Sequence, residues 1–191
     1  LRLATGWNLT SNALAAPPCQ PRRFCAACQS PPARAWNDAM PRYALRLEYD
    51  GAPFCGWQRQ DGLLSIQLVL EEAAAHLNGG VVPLVTAAGR TDAGVHAEAQ
   101  VAHLDLGTDL PPERVREALN FHTRPHPVSV TGAAVVDGEW SARFSAIGRA
   151  YRYRILNRPA RPALDWGRVW HVKKRLDAAA IAFDDAGEII A

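Results

Sequence analysis

A regular alternation of apolar and polar residues begins at Arg42, where Tyr43, Leu45, Leu47 and Tyr49 interleave with Ala44, Arg46, Glu48 and Asp50. A period of two predicts a half-buried strand, and Asp50-Gly51 is the turn that ends it. From Ile66 the period lengthens: Ile66, Val69, Leu70, Ala73, Ala74 and Leu77 predict a helix over 66–78. Ser65 is its expected N-cap and Gly79-Gly80 its stop. Val81 to Thr86 and Val101 to Leu106 read as strands. Pro111-Pro112 opens a second helix from about Glu113 to Leu119, with proline at a position whose N–H has no partner in any case. Strands over Val128 to Val136 and Tyr151 to Leu156 follow. The order β-α-β-loop-β-α-β, then one further strand, predicts an α+β fold with helices covering one face of a mixed sheet.

Residues 1–39 break this pattern. They are rich in Pro, Ala and Arg, lack a sustained apolar period, and contain Pro17-Pro18 and Pro31-Pro32. The only methionine, Met40, stands directly before the first strand, so it is the expected initiator and 1–39 a disordered leader outside the native coding sequence. A targeting peptide is the rival, on the Arg-rich, acid-poor composition. Cys25-x-x-Cys28 invites a zinc site, but neither a second pair nor a nearby histidine completes four ligands. Cys55 reads as a small hydrophobe in a reducing compartment. No apolar run approaches the roughly 18 residues a membrane span needs.

Charge changes the picture more. The net charge is only +2, yet residues 142–175 hold ten basic residues against one acid, Asp165. Such asymmetry fits a polyanionic partner, whose counterions are released on binding, or simply a solvated basic face. Five aromatics, Phe144, Tyr151, Tyr153, Trp166 and Trp170, interleave with those arginines. Strand alternation puts Arg152 and Arg154 opposite Tyr153 and Ile155, so some of these aromatics are expected in a core.

The chemistry-bearing segment is Ala88-Gly89-Arg90-Thr91-Asp92-Ala93-Gly94-Val95-His96, between two apolar strands. Its glycines let the backbone turn sharply and present Arg90, Thr91 and Asp92 from a rigid sheet. A carboxylate flanked by Arg90 and His96 can be tuned by its neighbours. The same residues also suit a plain Asp turn that caps backbone N–H groups. His96 and His103 lack the further ligands that a metal site would need.

Gly89 to His96 resembles the signature of TruA-type tRNA pseudouridine synthases. So do Tyr49-Asp50-Gly51, Gly56-Trp57-Gln58-Arg59-Gln60, Ser65-Ile66-Gln67, Ala118-Leu119-Asn120, Ala142-Arg143-Phe144-Ser145-Ala146 and Tyr151-Arg152-Tyr153, in the family's order. The resemblance covers about residues 41–178. It implies a pseudouridine synthase fold, with a ferredoxin-like half and the start of a second. The implied boundaries are an N-terminal α/β domain with the catalytic loop over 40–137, a truncated start of the C-terminal catalytic domain over 138–180, and a divergent acidic tail over 181–191. Asp92 is implied as the catalytic carboxylate and Tyr151 as the active-site tyrosine that stacks on the target base. Arg59, Arg90, His96, Arg143, Arg149 and Arg152 are implied RNA contacts, with Arg90 filling the space that the uridine leaves. The implied setting is a cytoplasmic homodimer acting on the anticodon arm of tRNA.

That reaction moves uracil from an N1 to a C5 glycosidic bond without net redox change, so it calls for neither cofactor nor metal. It needs a carboxylate, a platform for the freed base and a group to take the C5 proton. After Asn120 the chain departs from the family pattern, reading Phe121-His122-Thr123-Arg124-Pro125-His126-Pro127, and the resemblance fades after about Ala179. A non-catalytic RNA-binding fragment is therefore the alternative reading.

Overall fold

The computed structural model describes residues 2–3, 40–177, 182–183 and 189–190. Most of 1–39, including Cys25 and Cys28, lies outside the described residues, as does most of the tail after Asp177. In chain order the elements are β1 (Arg2–Leu3), β2 (Arg42–Tyr49), α1 (Ile66–Ala75), β3 (Thr86–Ala87), β4 (His96–Asp105), α2 (Pro112–His122), β5 (Val128–Val136), β6 (Tyr151–Arg152), β7 (Ile155–Asn157), β8 (Trp170–Val172), β9 (Ala182–Phe183) and β10 (Ile189–Ile190).

Strands β5, β2, β4 and β3 lie side by side in that order, each antiparallel to its neighbour. With α1 between β2 and β3 and α2 between β4 and β5, this is the ferredoxin-like β-α-β-β-α-β arrangement. Strand β1 makes the sheet mixed: it pairs parallel with the start of β4 and antiparallel with β6. Within the expected leader, Arg2–Leu3 thus depart from irregular structure. Within the expected tail, β9 pairs antiparallel with β10.

Alternation in β2 decides which face is buried. Tyr43, Leu45, Leu47 and Tyr49 join one cluster with Ile66, Val69, Leu70, Ala73 and Ala74 of α1, Val115 and Leu119 of α2, and Ala102 and Leu104 of β4. Both helices therefore cover the same face, as the periodicities predict. Asn120 finishes α2 by donating to Val130 O and accepting from Val130 N–H at 2.9 and 2.7 Å. Those bonds satisfy a backbone pair beside the irregularity where β2 and β5 shift register between Arg46 and Leu47.

Three strand expectations need correcting. The strand expected over Val101 to Leu106 already begins at His96 and ends at Asp105. Val81 to Thr86 is not a strand; only Thr86–Ala87 is, and Val81, Val82 and Leu84 are exposed. Pro83 has no N–H for a ladder. The Val85 N–H is instead taken by Glu71 Oε1 (3.2 Å), and its carbonyl by Gln67 Nε2 (3.1 Å). Side chains of α1 thus do the work of a neighbouring strand. The expected strand Tyr151 to Leu156 is split: β6 pairs with β1, whereas β7 pairs parallel with β8. The break at Tyr153-Arg154 is where the chain changes sheets, and Arg154 O accepts the Trp170 N–H at 2.7 Å. The interleaved aromatics are also not core: Phe144, Tyr151, Tyr153, Trp166 and Trp170 are all exposed. Alternation implies a buried side only where a second layer covers the strand, and the two- and three-residue strands here carry none.

Candidate active site

The loop carrying Asp92 is held from below by buried polar groups. Gln100 (2% exposed) donates through Nε2 to Gly89 O at 2.7 Å and, more weakly, to the Tyr49 hydroxyl at 3.4 Å. The Tyr49 hydroxyl is also hydrogen-bonded to Thr91 Oγ1 at 3.0 Å, a bond in which either oxygen can donate. Burial raises the phenol pKa of Tyr49, against the lowering effect of its bonds to Thr91 and Gln100, so it stays protonated. Gly89 and Thr91 are thereby anchored on either side of Arg90. Asp92, next in line, is exposed, and its carbonyl closes a turn with the Val95 N–H (3.2 Å).

A second support comes from the side. Gly56 O and Trp57 O accept the Ile66 and Gln67 N–H groups of α1, while Ser65 caps Leu68 N. Three of the first-turn donors of α1 are thus satisfied outside the helix. Trp57 N–H in turn donates to Thr91 O at 2.8 Å. Gln67 Oε1 accepts from Gln58 Nε2 and from Arg59 N, both at 3.0 Å. The motifs Gly56 to Gln60 and Ser65 to Gln67 therefore form one brace between α1 and the Asp92 loop. Two glycines permit the close approach. A Cβ on Gly51 would sit 2.1 Å from Val95 O, and one on Gly56 (φ +116°) would sit 2.6 Å from Thr91 O.

Beside the loop is an open cleft of about 480 Å³, lined by Trp57, Gln58, Arg90, Arg143, Arg149 and Tyr151 among others. Four of the sequence-derived candidates thus meet on one cleft. Arg149 is fixed there through Nε and Nη2, both donating to Ala88 O (3.0 and 2.6 Å), and through Nη2 to Arg143 O (3.2 Å). Arg143 lies 5.7 Å from the centroid of the Phe144 ring. Tyr151 is half exposed on the cleft wall rather than in the core.

The other candidates have different surroundings. Arg59 pairs with the buried Glu71 carboxylate at 3.0 Å, and Arg152 reaches Glu98 at 3.6 Å. His96 is buried and lines a second depression of about 310 Å³ with Asp50, Glu98 and Arg168. Its Nδ1 faces both the Gly51 N–H (3.1 Å) and Asp50 Oδ1 (2.9 Å). A neutral ring accepts from Gly51, and an imidazolium donates to Asp50. Nε2 lies 3.3 Å from Gly167 O, and Arg168 pairs with Asp50 Oδ2 at 3.0 Å. Burial opposes ionisation of Asp50, but the Ala52 N–H, His96 and Arg168 outweigh it and hold the carboxyl below its usual range. Asp50 and His96 thus tie residues 167–168 to the sheet.

Sequence reasoning placed Tyr49 and Gln67 in motifs without giving them a role, and missed Gln100 beneath the loop and Glu71 behind it. Inward alternation in β2 marks Tyr49 as buried, and a buried phenol demands a partner. Its pairing with Thr91 needs the strand register.

The family model described as tRNA pseudouridine synthase matches residues 47–145. A tRNA pseudouridine synthase A of Acidiphilium cryptum is 64% identical over 143 residues, covering 74% of this chain and 56% of that protein. Proteins of the same name from Paramagnetospirillum magneticum and Maricaulis maris are 59% and 56% identical, over 75% and 74% of this chain and 56% and 57% of their own lengths. The chain therefore spans a little over half the length of the curated relatives it matches. On a match that takes in the braced Asp92 loop, both helices and the Arg143 segment, the chain belongs to the tRNA pseudouridine synthase family.

Proposed function

We propose that this chain binds tRNA and isomerises uridine to pseudouridine in the anticodon arm, with Asp92 as the catalytic carboxylate. The observation that carries the reading is the braced, exposed Asp92 loop next to a cleft walled by Arg90, Arg143, Arg149 and Tyr151. In the reaction the N1–C1′ bond breaks, C1′ rejoins the base at C5, the C5 proton leaves and N1 takes up a proton. Asp92 supplies the carboxylate that initiates the exchange, by attack or by removal of a ribose proton. Tyr151 provides a face for the base while it turns, and its hydroxyl is a route for the C5 proton. The target nucleotide must leave the helical stack first, at roughly a few kcal/mol, and Arg90 fills the vacated place. Arg143 and Arg149 contact the phosphates, with Arg59, Arg152 and His96 as outlying contacts. A homodimer in the cytoplasm is the assembly and setting we assign. Among the described residues, no helix is long and apolar enough to cross a membrane.

Tritium release from tRNA labelled at uridine C5 tests the reading, with Asp92→Ala in parallel. Release by the parent and not by the variant supports it. Release by both removes Asp92 from the mechanism. A second reading, a chain that holds tRNA without turnover, is favoured by the exposure of Phe144, Ile147, Leu164 and Trp166, at 84, 97, 97 and 69%. Silence from the parent together with salt-sensitive tRNA binding selects it.

A further inference from the structure

We infer that His103 is a positioning residue for the cleft: its ring holds the Ala142 backbone and so sets where Arg143 and Arg149 stand. His103 lies on β4, on the sheet face opposite the helices, paired in register with Ala44 of β2. The ring is 8% exposed, and its Nδ1 accepts the Ala142 N–H at 3.1 Å. Ala142 is itself 2% exposed, and Arg143 follows it directly into the cleft wall. Trp140 closes over the ring edge-on at 5.9 Å between centroids.

The neighbouring groups fix the same segment. Arg42 grips Asp105 with two bonds, 2.7 and 2.8 Å, and its Nη1 donates to Gly138 O and to Trp140 O, the latter at 2.9 Å. Ser141 and Ser145 close a tight turn around Ala142, Arg143 and Phe144, with bonds of 3.1 and 2.8 Å. At the far end Arg149 binds Ala88 O, beside Gly89. The segment from Gly138 to Arg149 is thus held at two ends, and His103 bonds its buried middle at Ala142. The charged groups facing His103 are Arg42 and Asp105, with Asp137 and Glu139 reaching Arg42 from the segment itself.

Chemistry makes this contact conditional. Nδ1 accepts only in the neutral ring; once protonated it is a donor, and two N–H groups then face each other. Burial, with Arg42 adding to it, already disfavours the charged ring, against a smaller opposing pull from Asp105. Acid therefore withdraws the anchor from the arginine wall without touching Asp92.

The inference rests on the reading of Arg143 and Arg149 as RNA contacts, so its test has a readout that does not need RNA. We would follow hydrogen exchange at the Ala142 amide and tRNA dissociation constants at pH 7.5 and 4.5, for the parent, His103→Asn and His103→Leu. Asn keeps an oxygen where Nδ1 stood, but that oxygen does not titrate. The expected result is a protected amide in the parent that loses protection at pH 4.5 beyond the intrinsic change, well below the ordinary histidine value of 6.5 because the buried ring resists the charge. His103→Asn should stay protected at both pH values, and His103→Leu at neither. In step, tRNA binding should weaken about tenfold in His103→Leu at pH 7.5, the scale of one lost hydrogen bond, and be rescued by Asn. An Ala142 amide equally protected in parent and His103→Leu, or in the parent at both pH values, overturns the inference. If His103→Leu does not fold, the parent's pH response against His103→Asn decides. A parent that binds no tRNA defeats the functional reading, and the amide pattern then decides the anchor by itself.

Discussion

The backbone N–H of Trp57 donates to the carbonyl of Thr91 at 2.8 Å, and this bond helps to register the Asp92 loop against the N-terminus of α1. Trp57 is 2% exposed and its own carbonyl accepts from Gln67, so it cannot shift without disturbing the helix start. The role proposed for Asp92 requires its carboxylate to be held to a fraction of an ångström, and here rigidity is borrowed from a helix and a strand at once.

Gly56 is where that brace is most sensitive. Its φ of +116° is closed to side chains, and a Cβ would lie 2.6 Å from Thr91 O. Gly56→Ala is expected to destabilise the chain by about 1–3 kcal/mol through backbone strain alone. It should also push the Asp92 loop outward and reduce uridine turnover more than tRNA affinity. Urea unfolding midpoints beside single-turnover rates check both. An unchanged midpoint would mean the loop gives way without cost.

Beneath the loop, Tyr49→Phe removes a hydroxyl that joins Thr91 Oγ1 to Gln100. Two buried polar groups lose a partner while the shape is kept, so roughly 1–3 kcal/mol of stability should go. Thr91→Val should cost a similar amount, and the double variant less than the sum, because both break one network. A double-mutant cycle by chemical denaturation measures this, and strict additivity would deny the coupling.

Most of the helical and sheet framework was legible from periodicity, because β2, α1, α2 and β5 each bury one face against a common core. Val81 to Thr86 misled: its apolar residues satisfy strand statistics, yet Pro83 and the side chains of Gln67 and Glu71 give Val85 a non-strand solution. Residues after Val136 were harder still, since short strands with exposed aromatics carry no alternation that a core would enforce. For the site, the glycine-bracketed loop flagged Asp92 and Arg90. His96, four residues on, looked like a neighbour of the carboxylate, but β4 begins there and its ring is committed to Asp50, Gly51 and Gly167. Sequence proximity across a strand start says little about which side chains share a surface.

Asp50 links stability to pH. Its folded carboxyl lies below the ordinary value of 3.8, so the unfolded chain binds the proton more readily. The resulting stabilisation is fully present above about pH 3.8 and is lost as pH falls through the lower folded value. Asp50→Asn should therefore be less stable than the parent at pH 6, with the gap closing towards pH 2.5. Denaturation midpoints across that range test the sign. A gap that widens in acid would contradict it.

The cleft arginines make a prediction about salt. If Arg143 and Arg149 each neutralise a phosphate, the logarithm of tRNA affinity should fall with the logarithm of salt concentration, and each lost contact should flatten that slope by about 1. Arg143→Gln should show this with little loss of stability, since its side chain stands on an exposed position. Arg149→Gln should differ, because its guanidinium also holds Ala88 O and Arg143 O. That variant should flatten the slope by more than one contact, as Arg143 moves with it. Lys at 149 keeps the charge but not the forked bond to Ala88, so Arg149→Lys should retain the slope only in part. A slope for Arg149→Lys equal to the parent's would show that charge alone matters and that the anchored backbone plays no part in presenting it.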